Sequence, residues 1–404
     1  MNFCKRKLTR SLLLMLFLSV TAQGVFGQKP SNTISTDTQR LFQQARECLQ
    51  TGNRWLQSQQ QPDGSWRSEA YTSLEQGLGS TALVLATYSE QPRDDLQERR
   101  IQQGLVFLTS HLNQQGILNS PEGDVNYPLY ATSLLLKSLA ESGDMRGEAL
   151  SGLISRGLLR YQHVPAQGWP ANDPGRGGWG PGIEISETAV RMHPANVSVT
   201  LHVVTALKQT RKFSLEVRTA VREFLWQCQL QESEHPLAGG FQFAAISDHP
   251  LNKAGWQPDK KGELIAIPYF SPTCDGIVLM LECDLPIDDS RVEKALSVLP
   301  ELPHARLAEL PLNPEAKYTP LDAIFFYEQA AAARVWRELQ LRRATDRFLR
   351  KRRIQSLKKL VKSQHADGHW SNPLPWMLED DPVIATAFAM QAIQRWLPDS
   401  KREP

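Results

Sequence analysis

The stretch Gly52–Trp66, GNRWLQSQQQPDGSW, constrains this chain most, because worn copies of it recur along the sequence. It reads as a helix end, a Gln-rich turn, then Pro62-Asp63-Gly64 and a closing Trp66. Its spacing is Gly, two residues, aromatic, aliphatic, three residues, Gln, then Gly-x-Trp. Gly supplies a positive φ where a helix must end. The Gln side chain can bond free backbone groups there, and Trp packs its face under the turn. These residues staple a turn; they are scaffold, not catalysts.

Helical patterns dominate, and no run of alternating β-branched residues appears. The first repeat begins near Thr38, with Leu41, Ala45, Leu49, Trp55 and Leu56 on an outer helix. Its smoother partner is Leu74–Tyr88, apolar enough to be buried on most sides. The second is Gln103–Leu118, with Leu replacing both Gln and Trp, and partner Tyr130–Leu139. The third is Gly157–Trp169, with Gln162 and Gly168, then a loop holding Gly177-Gly178-Trp179-Gly180, and partner Asn196–Leu207. The fourth, Ala220–Phe241, ends in Gly239-Gly240-Phe241; a long insertion precedes its partner Cys274–Cys283. The fifth keeps only a helical half, Lys294–Leu299, with partner Asp322–Trp336. In the sixth, Leu360, Gln364, Asp367, Gly368 and Trp370 repeat the offsets of Leu56, Gln60, Asp63, Gly64 and Trp66. Its partner is Pro382–Trp396.

Six helix pairs at a period of roughly fifty to seventy residues make one repeat architecture, not two domains. One pair cannot bury its own apolar faces, so neighbours must stack. A patterned helix alternating with a greasier one implies two concentric layers, the greasy helices inside. The match of the first and sixth repeats fits a closed ring.

The N-terminus is separate. Lys5, Arg6, Lys7 and Arg10 precede an apolar run, Ser11–Ala22, and small residues end at Gly24 and Gly27. That is the pattern of an export signal over 1–27, too short for a comfortable membrane span. An uncleaved anchor is the alternative. Residues 28–37 read as a flexible lead-in, 38–397 as the repeat domain and 398–404 as a tail. Loss of the signal turns the net charge of +2 negative, which argues against a nucleic-acid partner. Cys48, Cys228, Cys274 and Cys283 would remain, as buried thiols or with one bridge. No metal or cofactor motif is present; His193, His202, His235 and His249 lack metal spacing.

Gly52–Trp66 and Leu360–Trp370 resemble the QW repeat of squalene-hopene and oxidosqualene cyclases. They also resemble the wider prenyltransferase and squalene-oxidase repeat proteins. The resemblance covers about 38–397 and implies an all-α fold, an (α/α)6 toroid of six helical hairpins with QW-type turns around a central cavity. The chemical residues match poorly. In those cyclases a GGF-type segment leads to an acidic DxDDT motif whose middle Asp protonates the polyene. Here Gly239-Gly240-Phe241 leads to Pro272-Thr273-Cys274-Asp275-Gly276. By that alignment only Asp275 matches an acid, and Cys274 takes the protonating place. A thiol is too weak an acid for an alkene. The chain is also about half a two-domain cyclase. The prenyltransferase zinc pattern Asp-x-Cys is missing, and Asp288-Asp289 and Asp380-Asp381 lack the rest of DDxxD. Both read instead as helix N-termini.

Three functions stay open: a toroid without cyclase chemistry that binds an apolar ligand or a protein partner; an isoprenoid enzyme with Asp275 as catalytic acid; and a glycan-active (α/α)6 enzyme. The last would need two carboxylates across a cleft, from Asp248, Asp259 and Glu263. Candidate cavity residues are Tyr127, Tyr130, Tyr269, Phe270, Cys274, Tyr327 and Trp376, with Phe325 and Phe326 beside them. Arg342–Lys362 holds ten basic residues and one acid, Asp346. It is a patch for an anionic surface or a solvated outer face.

Overall fold

The computed structural model describes residues 35–398 except 92–93, 121–126, 144, 186–189, 193, 232–234, 246–251 and 260–261. The expected signal segment 1–27 and residues 399–404 lie outside the described residues. The first helix among the described residues begins at Thr36, inside the stretch read as lead-in, with Ser35 as its cap.

Among the described residues six outer helices alternate with six inner ones. The outer helices are α1 (Thr36–Gln59), α4 (Asp95–Ser110), α6 (Met145–Arg160), α8 (Leu215–Cys228), α10 (Ser290–Val298) and α12 (Arg347–Ser363). The inner helices are α3 (Leu78–Tyr88), α5 (Pro128–Ser142), α7 (Val197–Gln209), α9 (Phe270–Glu282), α11 (Phe325–Leu341) and α13 (Pro382–Trp396). Each inner helix packs on the next, and α13 returns to α3, so the ring is closed. The inner helices are apolar nearly all round, as expected of the buried layer; α11 carries four consecutive buried alanines, Ala330–Ala333.

Sequence and structure differ in detail. The stretch expected as one helix from Leu74 is broken: a single turn, α2 (Thr72–Glu75), ends before Gly77 at φ +76, and α3 starts after it. Two hairpins, β1 (Ile183–Ile185) with β2 (Val190–Met192) and β3 (Trp256–Pro258) with β4 (Leu264–Ala266), fill the third and fourth insertions. Three-residue strands leave too short an alternation to read.

The repeat staple works through hydrogen bonds at each turn. Trp66 Nε1 donates to Leu56 O at 2.7 Å, and Trp370 Nε1 to Leu360 O at 2.8 Å. In the third repeat this role belongs to Trp179, whose Nε1 donates to Leu158 O at 2.7 Å. The sequence reading closed that repeat at Trp169, one excursion too early. Trp169 instead stacks on His163 with ring centroids 3.4 Å apart. Gln60, Gln229 and Gln364 each bond their own turn and reach the next outer helix, at Arg100 O, Arg291 O and Cys48 O. So the Gln joins repeats as well as capping a helix.

A partner of the staple escaped the sequence. A buried Thr near the start of an inner helix accepts the backbone N–H of the closing residue. The pairs are Thr81 with Trp66, Thr132 with Leu118, Thr200 with Trp179, Thr273 with Phe241 and Thr386 with Trp370, at 2.8–3.0 Å. Each bond satisfies a buried donor that would otherwise cost about 1–3 kcal/mol.

The two glycines of the motif have different tasks. Gly52 does not end a helix; it lies inside α1, where a Cβ would sit 2.9 Å from the ring of Trp370. The positive φ belongs to the turn glycine, as at Gly368 (φ +107), where a Cβ would also lie 2.7 Å from Thr51 O.

Candidate functional site

The inner helices point the same way along the pore, so their N-terminal turns line one end and their C-terminal turns the other. This produces two chambers. The first, about 200 Å³, is mostly apolar. Leu83, Val199, Phe243, Ile324, Met377 and Phe388 form much of its wall. Tyr127, Tyr130, Tyr269 and Tyr327 line it, as the sequence proposed for cavity residues, and so does Asp275.

Three other candidates do not line it. Phe270 and Cys274 lie one turn apart on the opposite face of α9, buried in the main core. Ser271 and Asp275, also one turn apart, face the chamber. Phe270 packs edge-on against Phe348 of α12. Burial pushes the Cys274 thiol well up. Trp376 is 49% exposed and belongs to no chamber wall. Phe325 and Phe326 are likewise core residues.

Asp275 is 1% exposed. Its Oδ1 accepts from Arg334 Nη1 at 3.2 Å, and its Oδ2 from the Tyr327 hydroxyl, which also meets Ser198 Oγ. Burial raises the Asp275 carboxyl; the Arg334 charge and the bonds from Tyr327 and Ser198 oppose that rise. The second chamber carboxyl, Glu379, accepts the free N–H groups of Phe326 at 2.8 Å and Tyr327 at 2.6 Å, at the start of α11. Lys253 lies over the Phe243 ring at 4.6 Å, and burial pulls its ammonium down to about 8. Ser198, Arg334, Glu379 and Lys253 were not foreseen. An ion pair between α9 and α11 leaves no signal at any fixed sequence spacing.

The second chamber, about 940 Å³, opens at the C-terminal ends of the inner helices and is polar. Glu90, Lys137, His202, Glu282, Arg334 and Arg395 line it, among others. Tyr130 and Arg334 sit at the septum: Tyr130 lines both chambers, and Arg334 lines the second while bonding Asp275 in the first. The Tyr130 and His202 rings meet edge-on at 4.4 Å. Burial lowers His202 well below its ordinary value.

The remaining candidates have structural roles. Asp289 caps α10, its carboxylate accepting from Arg291 N, and Asp381 caps α13, accepting from Val383 N and Ile384 N. Asp259 closes the β3–β4 hairpin, accepting from Glu263 N at 2.9 Å, and neither residue lines a chamber. His235 accepts from Leu237 N at 3.0 Å. Asp248, His193 and His249 lie outside the described residues. Cys48, Cys228, Cys274 and Cys283 are free and buried. Among the described residues no cluster of three or more His, Cys, Asp or Glu could hold a metal. No helix there is long and apolar enough to cross a membrane.

A closed double ring of helices around a two-chambered pore defines an α/α toroid, and the chain resembles the terpenoid-cyclase-like members of that fold. Three solved structures fix the likeness. The type II terpene cyclase MstE from Scytonema, in complex with its substrate geranylgeranyl dihydroxybenzoate, aligns at a TM-score of 0.58 with 12% identity, over 89% of this chain and 99% of that one. Cellobiose 2-epimerase from Spirochaeta thermophila aligns at 0.54 with 14% identity, over 89% and 99%. A family 76 glycoside hydrolase from a bovine Bacteroides thetaiotaomicron strain aligns at 0.55 with 12% identity, over 87% and 77%. At these identities the likeness is one of fold. No protein-family model matches the chain, and no curated protein matches it.

Proposed function

We propose that this chain is a ligand-binding toroid whose apolar chamber takes a small hydrophobic ligand, without cyclase chemistry. The observation that carries this reading is the double engagement of Asp275, by Arg334 on one oxygen and Tyr327 on the other. Protonating an alkene needs a carboxylic acid that holds its proton until the substrate takes it. A guanidinium is always charged and favours the carboxylate, so it works against that state. Burial pushes the Glu379 carboxyl up to about 8, but the N–H groups of Phe326 and Tyr327 that bond its two oxygens favour the carboxylate and tie it to the first turn of α11. The chamber's 200 Å³ also falls below the roughly 300–1,000 Å³ of ordinary ligand sites. A long polyene would not fold inside it without a wider wall.

The isoprenoid-enzyme alternative is favoured by burial, which raises Asp275 in spite of Arg334 and raises Glu379 as well. The glycan-active alternative has less support, since Asp259 and Glu263 serve a hairpin. Export through residues 1–27 remains part of the proposal, as does an anionic surface contact through Arg342–Lys362.

Solvent extraction of the purified protein followed by mass spectrometry tests the reading. A stoichiometric small hydrophobe that Tyr327→Ala releases is the expected result. Turnover of a polyprenyl substrate that Asp275→Asn abolishes would replace this reading with the enzymatic one.

A further inference from the structure

We infer that Lys253 anchors the ligand of the apolar chamber, and that this ligand is a hydrophobic monocarboxylic acid. The inference rests on the reading of that chamber as a ligand site and names the chemistry of its occupant.

Lys253 sits on the turn that leads into β3. The Asn252 amide pins this turn, donating to Gly255 O at 2.6 Å and to Ile267 O at 3.3 Å. Ile267 N donates in turn to Gly255 O at 3.0 Å. The Lys253 ammonium lies 4.6 Å from the centre of the Phe243 ring, and both residues line the chamber. A fixed turn therefore holds a charge at an apolar wall. Among the described residues this ammonium has no hydrogen bond and no ion pair; the ring face is its one close partner. Taking a charge out of water without a counter-charge is costly. That is why burial pulls Lys253 down to about 8.

The carboxyls of the chamber are engaged elsewhere. Asp275 pairs with Arg334 and accepts from Tyr327. Glu379 accepts from Phe326 N, Tyr327 N and Asn372 Nδ2. Glu379 favours the ammonium from a distance but forms no ion pair with it. A ligand carboxylate touching Lys253 would supply the missing counter-charge through a charge-assisted hydrogen bond. Its apolar remainder would lie against Leu83, Val199 and Phe388. A neutral hydrophobe would leave the ammonium unpaired. A cation would meet Lys253 with both carboxyls already taken. A diphosphate would bring more negative charge than one ammonium cancels, beside Asp275 and Glu379. The space of 200 Å³ suits a medium-chain or single-ring acid.

The test is calorimetric titration of the full chain at neutral pH with octanoic acid and trans-cinnamic acid. Each is compared with its own alcohol, 1-octanol or cinnamyl alcohol, and octylamine serves as the cationic counterpart. The expected result is saturable binding of at least one acid, about tenfold or more tighter than its alcohol. Octylamine should bind no better than 1-octanol. Lys253→Met should erase the advantage of the acid and leave the affinity for the alcohol; Lys253→Arg should keep the advantage. The acid-to-alcohol ratio of the parent chain needs no variant, so it decides even if a variant fails to fold. Alcohols bound as tightly as acids, a preference for octylamine, or an acid preference that survives Lys253→Met would overturn the inference and leave the chamber a site for a neutral or cationic hydrophobe. Binding of none of these probes would overturn both the inference and the reading beneath it.

Discussion

Gln364 Nε2 donates to Cys48 O at 3.0 Å and so ties the turn of the sixth repeat to α1. The same amide also bonds Gly368 O at 2.7 Å within its own turn. Between Gln60 and Arg100 O this geometry joins neighbouring repeats; between Gln364 and Cys48 it closes the ring. The seam has further bonds, from Gln391 Nε2 to Thr87 Oγ1 at 2.9 Å and from Arg395 to Glu90.

Removing that amide should loosen the seam. Gln364→Ala is expected to cost about 1–2 kcal/mol, because it leaves two carbonyls short of a donor. Urea unfolding measures the loss. An unchanged midpoint would mean that ring closure does not depend on this contact.

The pair Asp275–Arg334 should be expensive to break on one side. Asp275→Asn leaves the Arg334 guanidinium, 14% exposed, without its counter-charge, at an expected cost of about 3 kcal/mol. Adding Arg334→Met should recover part of that, since replacing both partners by neutral groups removes the buried charge. A double-mutant cycle on thermal unfolding gives the coupling, and strictly additive losses would contradict it.

Glu90 predicts an acid limit to stability. Burial alone would raise its carboxyl, but Arg395 and Lys137 outweigh burial and hold it far below its ordinary 4.5. Its folded value is thus depressed relative to the unfolded chain. Its contribution is therefore present above about pH 4.5 and is lost as pH falls through the folded value. In Glu90→Gln the protein should be weaker at pH 7, and its loss of stability below pH 4.5 should be shallower than in the parent. Parallel acid titrations by circular dichroism check the slopes.

The basic helix α12 is less uniform than its sequence. Arg352 pairs with Glu328 at 2.6 Å, and buried Arg353 bonds Trp396 O. Arg347, Arg350, Lys351 and Lys358 remain on the exposed face. Each such charge near an anionic membrane contributes about 1 kcal/mol. Lys351→Glu with Lys358→Glu should therefore reduce sedimentation with phosphatidylglycerol vesicles by more than tenfold. Equal sedimentation would leave α12 as a solvated face.

Much of the ring was legible because its turns repeat: Gln60, Gly64 and Trp66 announce the same hairpin as Gln364, Gly368 and Trp370. The third repeat misled because Gly168-Trp169 imitates the motif inside an insertion, and only the Trp179–Leu158 bond shows which Trp closes the turn. Four tyrosines were placed near the pore because they fall at inner-helix starts, and Asp275 because it aligns with an acid of the cyclase motif. Phe270 and Cys274 were misplaced because the rotational phase of α9 cannot be read from a helix that is apolar all round.

Sequence by itself determined the helical hairpins, their number and the division into outer and inner layers, because apolar periodicity and turn chemistry are local properties. Only the tertiary structure decided which side of each inner helix meets the pore, and that Asp275 finds Arg334. It alone assembled the polar chamber, from single charged and amide residues on separate helices. Each of those looks like a surface position until the ring brings them face to face.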